Sequence, residues 1–320
     1  MMSNCSAILA LLAVPGAGAA AVHSAIAASN AAKISLANLL GLTPRALIDA
    51  LPPGLHTVAG LIAKCGPQHR DAAEALLAKV SAAGAGAVAA TDPAYPSALA
   101  VLGTAAPPIL FFQGPLALLR KPAAAVVGAR DPSPTGARLA MNCAMCLARQ
   151  DAVVVSGGAR GIDGCGHAAA LEAGGETVVV LPQGILTYKP PPSIKKAVKD
   201  GRAAVVSQFM PEAPWETHAA VTRNATVSAL ANLMCVVEPR KTGGSIRAAR
   251  IALAQGKPVA AWCLIRAVEQ LLKTAGAGTL ADPKGNLQRE YLRELWCQTV
   301  QRAQDANSTS QPGLLQDMQP

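Results

Sequence analysis

Five residues of types that hold anions, with one acid, fall inside one short stretch, SGGARGID: Ser156, Gly157, Gly158, Arg160 and Gly161, then Asp163. The stretch follows the apolar run AVVV (152–155) and precedes a helical pattern carrying His167. Three more clusters end apolar runs in the same way. VVGAR places Gly128 and Arg130. LPQG is followed by Tyr188 and Lys189. EPRKTGGS supplies Arg240, Lys241, Thr242, Gly243, Gly244 and Ser245 ahead of another helical pattern. Arg223 and Asn224 open a further helix, TRNATVSAL. The amides at a helix start are unpaired and the dipole there is positive, so an anion is favoured. Glycine lets the anion approach the backbone, and Arg or Lys adds charge and hydrogen-bond donors. The same residues also fit a purely structural account, in which glycines make tight turns and Asp163, Ser245 or Asn224 cap helices. Several basic, glycine-rich ends in one domain favour an extended anionic ligand.

The elements that must position these groups alternate along the chain. Strand patterns, the first two running into loops, at 123–130, 152–158, 177–184, 203–209, 233–239 and 258–262 are separated by helical ones at 135–150, 162–174, 193–201, 220–232 and 243–256. Short β-branched runs between helices predict a parallel sheet covered on both faces, a Rossmann-like doubly wound α/β fold with ligands at the carboxyl ends of its strands. Residues 1–85 read as short helices, a small helical domain preceding the Rossmann-like domain of 86–268. Residues 269–304 read as a helical extension and 305–320 as a disordered polar tail.

The loops do not match the common nucleotide motifs. GxxxxGK[ST] is absent, and SGGARGIDG lacks GxGxxG spacing. No Ser-His-Asp set or carboxylate pair is apparent. His167, one turn beyond Asp163, is either its partner or a packed helix histidine. Cys143 and Cys146 form a CxxC in mid-helix without a second pair, so no metal site is expected. The other cysteines also fall mostly inside element patterns, as reduced thiols of a cytoplasmic protein do. The net charge is +9. Residues 121–268 carry 17 Lys/Arg against 9 Asp/Glu, so most of the excess lies there, and it points to an anionic partner. The N-terminal apolar run has no Lys or Arg before Lys33, which argues against an export signal, and no span of membrane length is expected.

In order and spacing, VVGAR, SGGARGIDGCGH, VVVLPQG, TRNATVSAL and TGGSIRAARIALAQGKPV resemble the DNA-processing protein A (DprA/Smf) family, as does the lead-in TDPAYPSALAVLGTAAPPILFFQG. The early LLAVPGAGAAAV resembles the family's SAM-like or helix-hairpin-helix start. The resemblance implies a cytoplasmic single-stranded DNA-binding protein, not an enzyme and without a cofactor. Such a protein shields incoming DNA during natural transformation, helps load the RecA recombinase and dimerises through the Rossmann domain. Position by position it implies DNA contacts at Gly128, Arg130, Ser156, Gly157, Arg160, Lys189, Arg223, Asn224, Gly244 and Ser245. Gly161, Asp163 and His167 would shape the loop. Ala225 stands where the family has a second arginine, Thr135 where a tyrosine is common, and Lys189 separates a tyrosine–proline pair. Two rival readings remain. One is a nucleotide phosphoribohydrolase of the LOG type, whose glycines match TGGS but whose catalytic acid is missing, since Arg247 and Arg250 occupy the helix where it would be needed; activity lost with Glu238→Ala would revive that reading. The other is a dimeric scaffold that has lost DNA contact.

Overall fold

The computed structural model describes residues 2–52 and 54–309. Among them, six helices open the chain: α1 (Asn4–Leu12), α2 (Ala19–Ala32), α3 (Leu36–Leu39), α4 (Pro44–Ala50), α5 (His56–Lys64) and α6 (Pro67–Ala82). The α4 start follows its sequence signature: the Thr43 hydroxyl accepts from the Ala46 amide, and Pro44 occupies the first helical position. Nine strands of a mostly parallel sheet then alternate with helices. They begin with β1 (Gly86–Ala89), β2 (Ile109–Gln113) and β3 (Ala123–Gly128). There follow α7 (Pro134–Ala148), β4 (Val153–Ser156), α8 (Ile162–Glu172), β5 (Thr177–Leu181), α9 (Pro192–Lys199), β6 (Ala203–Ser207) and α10 (Thr217–Leu230). The last elements are β7 (Leu233–Val237), α11 (Gly244–Ala254), β8 (Val259–Trp262), α12 (Arg266–Thr274), β9 (Gly278–Thr279) and α13 (Arg289–Thr309). This is the expected α/β architecture with a helical start.

Contacts divide the chain into two compact units. One takes the residues up to Arg120 together with Val178–Leu230; the other takes Lys121–Thr177 and the chain from Ala231 onward. The expected boundaries at 85, 268 and 304 do not coincide with this division, because residues 86–268 contribute to both units. In the first unit β1 pairs antiparallel with β2, and β2 antiparallel with β6. Ile8, Leu11, Leu47, Ile62, Leu99 and Phe111 are among its fully buried side chains.

In the second unit the strand order is β4-β3-β7-β8-β9, and every pair is parallel. One face of this sheet carries a core of Val126, Val154, Cys235 and Val237 packed under Leu139, Leu147 and Ile162 from α7 and α8 and under Leu292 and Trp296 from α13. Aromatic side chains are scarce. Alanines at 124, 140, 144 and 170, all in this core, let the helices approach closely instead. Residues 269–304, expected to be helical throughout, are interrupted. Glycines 276 and 285 adopt left-handed backbone, and β9 pairs with β8 at Ala260 and Ala261, so the segment extends the sheet before α13 begins. That helix runs through Thr309, past the expected start of a tail at 305. The rest of that expectation, residues 310–320, lies outside the described residues. Among the described residues no helix is long and apolar enough to cross a membrane, and no group of three or more His, Cys, Asp or Glu side chains is placed to hold a metal ion.

Candidate nucleic-acid interface

In the second unit the chain moves from β3 to β4 on one side of the sheet, and later resumes with β7 on the other side of β3. The switch point of the sheet therefore lies between β3 and β7, where open α/β sheets form their ligand crevice. Gly128 of β3 pairs with Val237 of β7 at that edge. The helices α7, α8 and α11 all follow these strands and start from the same edge. Ser133 caps α7: its hydroxyl oxygen accepts from the Gly136 amide at 3.0 Å. The Ser133 amide and hydroxyl in turn both donate to Glu238 Oε2 at 2.9 Å. Glu238 holds this position in a left-handed backbone conformation, φ +53°, which costs a non-glycine residue about 1 kcal/mol. Its carboxylate thus closes the β7 turn onto the α7 start. Gly136 lies against it, so that an added Cβ there would push the Glu238 carboxylate from this position.

Above this seam the basic side chains converge. Arg160 Nη2 lies 3.1 Å from Asp131 Oδ1, and Arg240 Nη2 lies 3.9 Å from Asp131 Oδ2. Loops that leave three different strands are thereby gathered on one carboxylate. The three side chains are 77%, 68% and 61% exposed, so these ion pairs are weak and exchangeable. A phosphate can replace Asp131 as the partner of either guanidinium. Arg130 and Lys241 are exposed on the same loops, Gly244 is exposed at the α11 start, and Ser245 is half-buried there. Sequence reasoning missed Asp131. The one available signal was an acid directly after Arg130 at a strand end.

Three other members of the sequence-derived set point inward. Ser156 is fully buried, and its hydroxyl donates to the Val126 carbonyl at 2.6 Å, tying β4 to β3. The Gly157 amide donates to Asp163 Oδ2 at 3.2 Å, so the loop's own acid takes the place an anion would fill. In the first unit Arg223 is buried, and its Nη1 donates to the Val180 carbonyl at 3.0 Å. These hydrogen bonds are internal, whereas the sequence reading places the three residues at the ligand. Gly128 is likewise explained by packing, because its missing Cβ makes room for the Val237 carbonyl and for Ile162. Lys189 is exposed and Asn224 half-buried, both in the first unit. Tyr188 is half-buried, and burial raises its hydroxyl pKa.

Of the loop-shaping residues, Gly161 has φ +81° and Asp163 anchors Gly157 as described. His167 does something else. Its Nδ1 lies 2.6 Å from Thr177 Oγ1, whose proton goes to the Val154 carbonyl at 2.6 Å. The Thr177 oxygen therefore accepts from the ring, and the pair fastens α8 to the strands beneath it. Thr177→Val should lower stability by about 1 kcal/mol, seen as a reduced urea midpoint with an unchanged slope.

Protein Smf of Escherichia coli is 36% identical over 155 residues, covering 48% of this chain and 41% of that protein. DNA processing protein DprA of Streptococcus pneumoniae is 34% identical over 172 residues, covering 52% of this chain and 59% of that protein. The chain thus spans about half the length of these relatives. The X-ray structure of the Streptococcus pneumoniae protein matches with a TM-score of 0.70 at 23% identity, covering 89% of this chain and 97% of that one. The Helicobacter pylori DNA processing protein A, whose structure concerns its single-stranded DNA binding mode, matches with a TM-score of 0.54 at 22% identity, over 68% of this chain and 96% of that one. At these identities the structural likeness is one of fold. The family model described as DNA recombination-mediator protein A matches residues 86–284. That range is well over half of the chain, and it contains every strand and loop of the rim, so the chain belongs to the DNA recombination-mediator protein A family.

Proposed function

We propose that this protein binds single-stranded DNA through its backbone, as a non-enzymatic, cofactor-free mediator acting in the cytoplasm during DNA processing in natural transformation. The observation that carries this reading is the convergence of Arg160 and Arg240 on Asp131, above helix starts at the switch point. The family's description as a recombination mediator supports a further step, handing the protected strand to the RecA recombinase, with the protein acting as a homodimer. Single-stranded DNA binding is described for the Helicobacter pylori relative, and it supports the same ligand class here.

Binding by phosphate contacts has a specific signature. Neutralised phosphates release counterions, with a slope near −0.7 per contact for single strands. Four contacts, from Arg130, Arg160, Arg240 and Lys241, should lower affinity about 50-fold between 50 and 200 mM salt. Fluorescence anisotropy of a labelled single strand measures this. Salt-insensitive binding, or strong dependence on base sequence, would overturn the reading.

A further inference from the structure

A groove of about 290 Å³ lies between the C-terminal half of α7 and the first turns of α13. Three guanidinium groups line it, those of Arg149, Arg289 and Arg293, against the single carboxylate of Glu290. All four side chains are exposed. Glu290 stands 3.9 Å from Arg293. Among the described residues, Arg149 and Arg289 have no carboxylate within ion-pair distance. Arg289 and Arg293 are one helical turn apart, a like-charge spacing that disfavours the helix. Their field is felt inside the groove: burial raises the pKa of the Cys146 thiol, and Arg289 and Arg293 oppose that rise.

The frame that holds these cations together is firm. Leu292 and Trp296 of α13 are buried in the core beside Leu147 of α7. Trp296 Nε1 donates to the Gln150 carbonyl at 3.3 Å, and Gln150 Nε2 donates to the Cys146 carbonyl at 3.0 Å. Arg149 ends α7, whereas the rim meets its other end at Ser133. Sixteen residues of helical rise, roughly 24 Å, separate the two. The family match stops at residue 284, before α13 begins, so Arg289 and Arg293 lie beyond it.

We propose that this groove is a second anion site, one that takes a terminal phosphate monoester presented by a mononucleotide or by the phosphorylated end of a DNA strand. Three arginines and one glutamate leave a surplus of two positive charges, which a monoester dianion neutralises and a backbone phosphodiester does not. Guanidinium forks suit phosphate oxygens. The volume suits one nucleotide rather than a run of them. Asn142, on the same wall, supplies an amide donor and acceptor for the remainder of the ligand.

The test uses the full chain and does not depend on the rim. Deoxyadenosine 5′-monophosphate is titrated calorimetrically into wild type, Arg149→Gln, Arg289→Gln and Arg160→Ala. The expected result is one site, weakened about tenfold or more by either glutamine and unchanged by Arg160→Ala. In a second arm, a 5′-phosphorylated strand is compared with its 5′-hydroxyl twin. Several-fold tighter binding of the phosphorylated strand, abolished by Arg289→Gln, identifies the strand end as the source. Mononucleotide binding without that advantage identifies the free nucleotide. If neither probe responds to the glutamine variants, or if mononucleotide binding is lost only in Arg160→Ala, the groove is not an anion site. Loss of strand affinity in Arg160→Ala with the mononucleotide response intact concerns the rim alone.

Discussion

Alanine at both Arg160 and Arg240 is expected to weaken single-stranded DNA binding about 30-fold near 100 mM salt, at about 1 kcal/mol for each lost phosphate contact. The salt slope should become shallower by about 1.4, two contacts at 0.7 each. Both side chains are mostly exposed, and their one partner given by the structure is the exposed Asp131, so the melting temperature should stay close to that of wild type. The same geometry predicts an effect of opposite sign. In the free protein Asp131 competes with DNA for both guanidiniums and repels the incoming phosphate. Asp131→Asn keeps the shape of the side chain and removes the charge, and it should tighten binding about three- to fivefold at low salt. Anisotropy titrations at several salt concentrations read both affinity changes and the slope, and a thermal melt of the double variant checks its melting temperature. A double variant that binds as wild type does would remove this rim from the interface, whatever the family's habits.

The rim was legible in the sequence because its signals are local. An apolar run, then glycine and arginine, then a helical pattern, describes a strand end whatever lies beside it. Four such ends at regular spacing imply a parallel sheet. The direction of each polar group was not legible. Ser156 ends β4, and which side of the sheet it faces depends on register with β3, which no local pattern reports. Arg223 sits in a helix whose residues are apolar or small on nearly every side, so nothing in TRNATVSAL distinguishes a buried arginine from a displayed one. Glu238 entered the sequence reading only as the residue to test for a hydrolase. Its left-handed backbone and its two hydrogen bonds from Ser133 arise only when β3 and β7 lie side by side, more than a hundred residues apart in the chain. Asp131 was overlooked for a related reason. Its neighbours are meaningful only once the loops after β4 and β7 have been folded onto it.

Gly128→Ala should be severely destabilising although the residue's backbone is an ordinary strand conformation. An alanine Cβ there would overlap the Val237 carbonyl oxygen and stand 2.7 Å from Ile162 Cγ1. The first is backbone in the paired strand β7, and the second is a fully buried side chain on α8. Neither can swing aside as a flexible side chain would, so relief requires prising β3 from β7 or lifting the α8 start. Either movement would also disturb the Ile162 amide's hydrogen bond to the Ala129 carbonyl. Ordinary overpacking costs about 1–3 kcal/mol, and a backbone clash at a central strand pair should exceed it, at about 4 kcal/mol or more. Gly164, two residues into α8, is the control. Its added Cβ would meet the Ala159 carbonyl oxygen at 3.6 Å, an ordinary contact, and the residue is exposed on the helix. Gly164→Ala should therefore stabilise the protein by up to about 1 kcal/mol through helix propensity alone. Urea unfolding of the pair distinguishes two accounts of the glycines in these loops. If Gly128 served only to let a ligand approach, both variants would fold normally and Gly128→Ala would change binding alone. If the structure is right about the β3–β7 seam, the two variants will move stability in opposite directions before any DNA is added.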